Sequence, residues 1–137
     1  MKEYTKEQIL QLYVERKERL FDYMTANGIA AAVFEDCEER RDPAVRYFTG
    51  HPSDALFIAT EDGRAFLVPW DENLARQKSV DCTVLPYNKF GRKNVGAVLG
   101  VLKSLKLHGK KKVELSCVMG DTLRTIKPLC TVEDTEI

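Results

Sequence analysis

Histidine, serine and cysteine supply most nucleophiles and metal ligands, and in this chain they are few and scattered. His51 and His108 are the two histidines and stand far apart, so no H-E-x-x-H or similar ligand spacing exists. Ser53 lacks a G-x-S-x-G setting. Its nearest base, His51, is two residues away, where a turn would not put both side chains on one face, so a Ser-His hydrolase is disfavoured; Ser53→Ala would test it. Cys37, Cys82, Cys117 and Cys130 form no C-x-x-C pair, which argues against a zinc knuckle or a thioredoxin-like centre and leaves free, mostly buried thiols as the expectation. The acid-rich run from Glu35 to Pro43 could suggest a carboxylate metal site but has no nearby histidine, and reads as a solvated loop. The glycines at Gly91, Gly96 and Gly100 fit neither a dinucleotide fingerprint nor a phosphate loop, and Lys110-Lys111-Lys112 is too short for a nucleic-acid tract.

Composition narrows the class further. The chain has 137 residues and 44% hydrophobic content, the size of one domain. Lys+Arg 21 against Asp+Glu 21 leaves no net charge to hold nucleic acid or an anionic membrane, so neither partner is expected. No apolar run approaches the roughly 20 residues that cross a bilayer, and the first residues are amphipathic, unlike a signal peptide. A cytoplasmic protein is the expectation.

The elements that would position any site follow from periodicity. Thr5 and Gln8 make a capping box, and Ile9, Leu12, Tyr13, Leu20, Tyr23 and Met24 recur at helical spacing, predicting a helix over 6–27 stopped by Gly28. Its polar face is expected to hold Glu15, Arg16, Lys17, Glu18 and Arg19, with Glu15 and Arg19 paired. Ile29 to Phe34 reads as a strand buried on both faces. After the charged loop, Arg46-Tyr47-Phe48-Thr49-Gly50-His51-Pro52 reads as the end of one element and a sharp turn into the next. A hairpin is predicted from strands at 55–59 and 65–68 around Asp62-Gly63. Asp71 caps a short helix over 72–78, Cys82 to Leu85 is a strand stopped by Pro86, and a helix covers 94–107, where Gly96 and Gly100 permit close packing on the sheet. Strands at 113–116 and 129–132 and a helix at 120–127 complete an α/β domain with a mixed sheet of about five or six strands flanked by helices.

Read together, these segments resemble the N-terminal domain of the creatinase/aminopeptidase P/prolidase family of pita-bread metallopeptidases. Arg16, Arg19 and Leu20, then Met24, Gly28 and Ile29, stand at matching positions. The most specific stretch is Val45-Arg46-Tyr47-Phe48-Thr49-Gly50, and Asp62-Gly63, Leu67-Val68-Pro69 and Ala75 continue the likeness. Beyond Tyr87 only the order of elements remains similar. Ala30 and Ala44 depart from the usual aspartate and asparagine, which removes two side chains able to bond nearby backbone.

The resemblance implies a creatinase N-terminal fold with a ribonuclease H-like motif over 1–137. It implies that the metals of the parent enzyme, two divalent ions of manganese, cobalt or zinc, sit in a C-terminal catalytic domain outside these residues. No catalytic or metal-binding residue is then expected here. The implied role is assembly of a homodimer and closure of the partner subunit's substrate pocket in an Xaa-Pro dipeptidase or aminopeptidase, with the chain's own catalytic domain as a further partner. His51, Pro52, Ser53 and Asp54, offered outward, are the contact candidates, while Arg46, Tyr47, Phe48, Thr49 and Gly50 hold the turn. A protein-interaction module of the same fold is the alternative. A reading frame continuing past Ile137 with the family's aspartates, histidine and glutamates would separate the two.

Overall fold

A computed structural model describes residues 3–37, 41–104, 112–117 and 131–133. Helix α1 runs Lys6–Asn27. The Thr5 hydroxyl accepts the Gln8 N–H at 3.1 Å while the Gln8 side chain accepts the Thr5 N–H at 2.8 Å, so two of the unpaired first-turn donors are satisfied. Gly28, at φ 65°, ends the helix in the left-handed region.

The strands are β1 (Ala31–Asp36), β2 (Ala55–Thr60), β3 (Ala65–Pro69), β4 (Thr83–Val84), β5 (Lys112–Cys117) and β6 (Thr131–Glu133). They form one sheet in the order β4-β3-β2-β1-β5-β6. The central β1-β2-β3 meander is antiparallel, whereas β4, β5 and β6 each join in parallel, giving the expected mixed sheet.

Both faces of the meander are covered, which explains its unbroken apolar runs. Ala31, Val33, Leu56, Ile58 and Val68 face helix α4 (Asn94–Ser104), through Ala97, Val98, Val101 and Leu102. Ala32, Phe34, Ala55, Phe57 and Leu67 face α1, α2 (Ala44–Thr49) and α3 (Glu72–Lys78), through Leu20, Met24, Val45, Phe48 and Ala75. The helix at 72–78 stands where predicted, with the Asp71 carboxylate accepting the Leu74 N–H at 3.0 Å. A 3₁₀ turn at Tyr87–Phe90, not foreseen, packs on α4. A Cβ on Gly100 would come within 2.7 Å of the Phe90 ring, so the small residue is what admits this turn.

Four expectations are corrected. The strand β1 extends to Asp36, and Glu35 and Asp36 are buried, so the charged run is not solvated from its start. The segment before Gly50, read only as the end of an unassigned element, is a short helix, because Pro43 fixes an αR start and Asp42 Oδ1 accepts the Ala44 N–H at 2.8 Å. Lys17 leaves the polar face and is 2% exposed. It lies on the same helical stripe as Leu20 and Met24. The predicted Glu15–Arg19 pair gives way to other partners, Gln11 for Glu15 and Tyr47 for Arg19. The helix expected over 120–127, His108 and Cys130 lie outside the described residues, while Cys37 is buried and Cys82 half-buried.

Candidate functional site: the turn after α2

Helix α2 ends against the basic side of α1. Lys17 Nζ donates to the Phe48 carbonyl at 2.7 Å and to the Val80 carbonyl at 3.2 Å, with Asp81 at 3.6 Å. Arg16 donates to the Tyr47 carbonyl at 2.9 Å and lays its guanidinium 4.3 Å from the Tyr47 ring centre. Arg19 reaches the Tyr47 hydroxyl at 3.3 Å. Two cations, Lys17 and Arg16, thus meet carbonyls at the end of α2, where unpaired C=O groups and the helix dipole favour positive charge, while Arg19 holds the Tyr47 side chain. Burial pushes the Lys17 ammonium below its ordinary value, with Asp81 acting against it.

Gly50 then turns the chain at φ 80°. A Cβ there would meet the Lys78 carbonyl at 3.1 Å and the Tyr13 hydroxyl at 3.2 Å. Both the backbone conformation and the space demand glycine. Gly50→Ala is expected to cost about 1–3 kcal/mol in chemical denaturation, with little change in slope.

The sequence-predicted residues divide sharply beyond this point. His51 is fully enclosed, Asp54 is 7% exposed, and only Pro52 and Ser53 reach the surface. The expectation of an outward-facing His51 and Asp54 is therefore corrected: they hold the turn from within. The His51 N–H donates to Thr49 Oγ1 at 3.1 Å, and Thr49 Oγ1 donates to the Val45 carbonyl at 2.7 Å. Asp54 pairs with Arg41 at 2.6 Å, and Arg41 also approaches Asp36 at 3.5 Å. The Asp54 carbonyl accepts the Trp70 N–H at 3.0 Å, tying the turn to the end of β3. Phe48 packs in the core, whereas Tyr47 stays 42% exposed under Arg16 and Arg19.

Neither ring nitrogen of His51 has a hydrogen-bond partner among the described residues. Burial pushes its imidazole below the ordinary value, opposed by the Asp54 backbone and the charges of Asp71, Asp36 and Asp54. No group of three or more His, Cys, Asp or Glu side chains among the described residues could hold a metal ion.

Beside the turn lies a polar network that the sequence reading missed. Tyr87 Oη and Trp70 Nε1 both donate to Asn94 Oδ1, at 2.8 and 3.2 Å, and Asn94 Nδ2 donates to the buried Glu35 carboxylate. Trp70 stacks on Tyr87 at 5.7 Å and 13°. A cleft of about 390 Å³ runs along this stack between Asp71 and Arg92. The one signal for it was the aromatic Trp70 in a Pro-Trp-Asp break between elements. Lys17 was legible in principle from its place on the apolar stripe.

The family model described as the Creatinase/Prolidase N-terminal domain matches residues 16–135. The chain belongs to this family. Comparison with curated proteins gives no significant match. Among solved structures, the domain is similar to an X-Pro aminopeptidase from Thermotoga maritima MSB8 at TM-score 0.63 and 21% identity, covering 82% of this chain and 30% of that one. It is similar to a prolidase from Pyrococcus horikoshii OT3 at TM-score 0.62 and 18% identity, covering 86% and 31%. It also resembles a proline dipeptidase from Streptococcus agalactiae 2603V at TM-score 0.61 and 20% identity, covering 89% and 93%. At these identities the likeness concerns the fold. The creatinase/prolidase N-terminal domain spans less than a third of the T. maritima and P. horikoshii chains. No helix among the described residues is long and apolar enough to cross a membrane.

Proposed function

We propose that this creatinase/prolidase N-terminal domain is the non-catalytic part of a cytoplasmic Xaa-Pro dipeptidase or aminopeptidase. It assembles a homodimer and uses the turn after α2 to close the partner subunit's substrate pocket. The two divalent metal ions, manganese, cobalt or zinc, belong in this reading to a C-terminal catalytic domain. The observation that carries the proposal is the contrast within the turn. Pro52 and Ser53 reach the surface while the residues on either side are anchored to α1, to Arg41 ahead of α2 and to the end of β3. A surface element whose backbone is fixed before a partner arrives loses little entropy on contact, as a pocket wall requires.

Two measurements test this reading. The 137-residue chain supplied with manganese or cobalt is expected to show no turnover of an Xaa-Pro dipeptide; metal-dependent turnover proportional to protein would place the chemistry inside it. In the full-length gene product, Pro52→Arg and Ser53→Arg are expected to raise KM for such a dipeptide by about tenfold, some 1.4 kcal/mol, with thermal stability unchanged. Unchanged KM in both variants would remove the turn from the pocket.

A further inference from the structure

Trp70 is the chain's one tryptophan and stays 39% exposed, although four contacts fix it. Its ring lies along Tyr87 at 5.7 Å, its indole N–H donates to Asn94 Oδ1 at 3.2 Å, its backbone N–H donates to the Asp54 carbonyl and its own carbonyl accepts from Arg92 at 3.4 Å. A large ring held in place yet open to solvent loses little freedom when a second ring settles on it. The cleft beside it carries a charge on either wall. On the α3 side the Asp71 carboxylate is fixed by the Leu74 N–H at 3.0 Å; on the other, the Arg92 guanidinium lies 5.1 Å from the Tyr87 ring centre and donates to Asn88 Oδ1 at 2.8 Å. Neither has an ion-pair partner among the described residues, whereas the neighbouring Glu72 is matched by Arg76 at 3.0 Å. Arg92 also sits at φ 54°, a left-handed conformation that costs a residue with a side chain and recurs where a binding group has to be aimed.

We propose that this cleft binds a small zwitterion carrying an apolar ring, such as a short peptide with free termini, with its ammonium at Asp71, its carboxylate at Arg92 and its ring on the open part of Trp70. Each end follows from a named group. A planar guanidinium meets a carboxylate through paired N–H donors, and Arg92 is already oriented by Tyr87 and Asn88. Asp71 spends one oxygen, Oδ1, on the cap of α3 and keeps the other for an ammonium. Unlike charges on two walls penalise a ligand that is only an anion or only a cation, because one wall then repels it. A molecule with both charges satisfies both walls. The volume, about 390 Å³, suits a ligand of that size. All of these groups lie on this chain, so the inference does not depend on the peptidase reading.

The test is a titration of the 137-residue chain with glycyl-L-phenylalanine at about pH 7, where both termini of the dipeptide are charged. The single indole N–H resonance, that of Trp70, reports on the cleft directly. A saturable shift with Kd on the order of 1 mM is expected. The C-terminal amide and the N-acetyl form, each lacking one charge, should bind about fivefold more weakly, and glycylglycine, lacking the ring, about threefold or more. Two variants assign the ends. Arg92→Gln should weaken the free dipeptide and abolish its advantage over the amide, while Asp71→Asn, which preserves the helix cap, should abolish its advantage over the N-acetyl form. Either variant decides the matter if the other does not fold. The absence of a saturable indole shift up to about 20 mM would overturn the proposal. So would wild-type protein that binds the amide or the N-acetyl form as tightly as the free dipeptide, or a variant that still discriminates against the form lacking its matching charge.

Discussion

Replacing Phe48 with alanine is expected to lower the unfolding free energy by about 3–5 kcal/mol, the range for removing a buried aromatic ring from a core. Phe48 is 7% exposed, with its ring centre 5.5 Å from both Phe34 of β1 and Phe57 of β2, and it meets Tyr47 edge-on at 5.0 Å. With Val45 it is a side chain by which the short helix α2 grips the sheet. Six residues cannot sustain a helix alone, so most of the stability of α2 comes from this packing. Urea unfolding of Phe48→Ala, read by its midpoint at constant slope, checks the value. A loss below about 1 kcal/mol would mean that the turn is held mainly by its polar contacts.

Lys17→Met is expected to cost about 2–3 kcal/mol, although it keeps most of the side-chain volume. Methionine leaves the carbonyls of Phe48 and Val80 without the ammonium that joins them, and also deprives Asp81 of its cation. Removing a buried charge relieves some desolvation, which is why the expected cost stays below that of the aromatic deletion. The two residues meet at one point, since Lys17 binds the carbonyl of the residue whose ring enters the core. The double variant should therefore lose less than the sum of the single losses, and a double-mutant cycle measures the difference. Full additivity would show that ring and ammonium hold α2 independently.

Much of this arrangement was legible in the sequence. The bounds of α1 and α3 follow from caps and periodicity that local chemistry enforces, namely Thr5 with Gln8 at one start and Asp71 at the other. The buried meander follows from apolar runs, and the family from the Arg46 to Gly50 stretch. What failed was reading polarity as exposure. Glu35, Asp36, His51, Asp54 and Lys17 are polar, and all are buried. Their burial depends on partners brought from distant segments, such as Asn94 for Glu35 and Arg41 for Asp54, and no local window contains such a pair. The helix at α2 was hidden for a related reason: with six residues and an aromatic pair, its conformation is decided by tertiary packing.

The central claim, that the turn after α2 meets a partner subunit at its substrate pocket, is most directly tested by a photoreactive residue placed at Ser53 of the full-length gene product. The account predicts a covalent link between subunits on irradiation, mapped to the partner's catalytic domain and suppressed by an Xaa-Pro dipeptide. A protein that turns over the dipeptide while Ser53 links only within its own subunit, or to nothing, would contradict it.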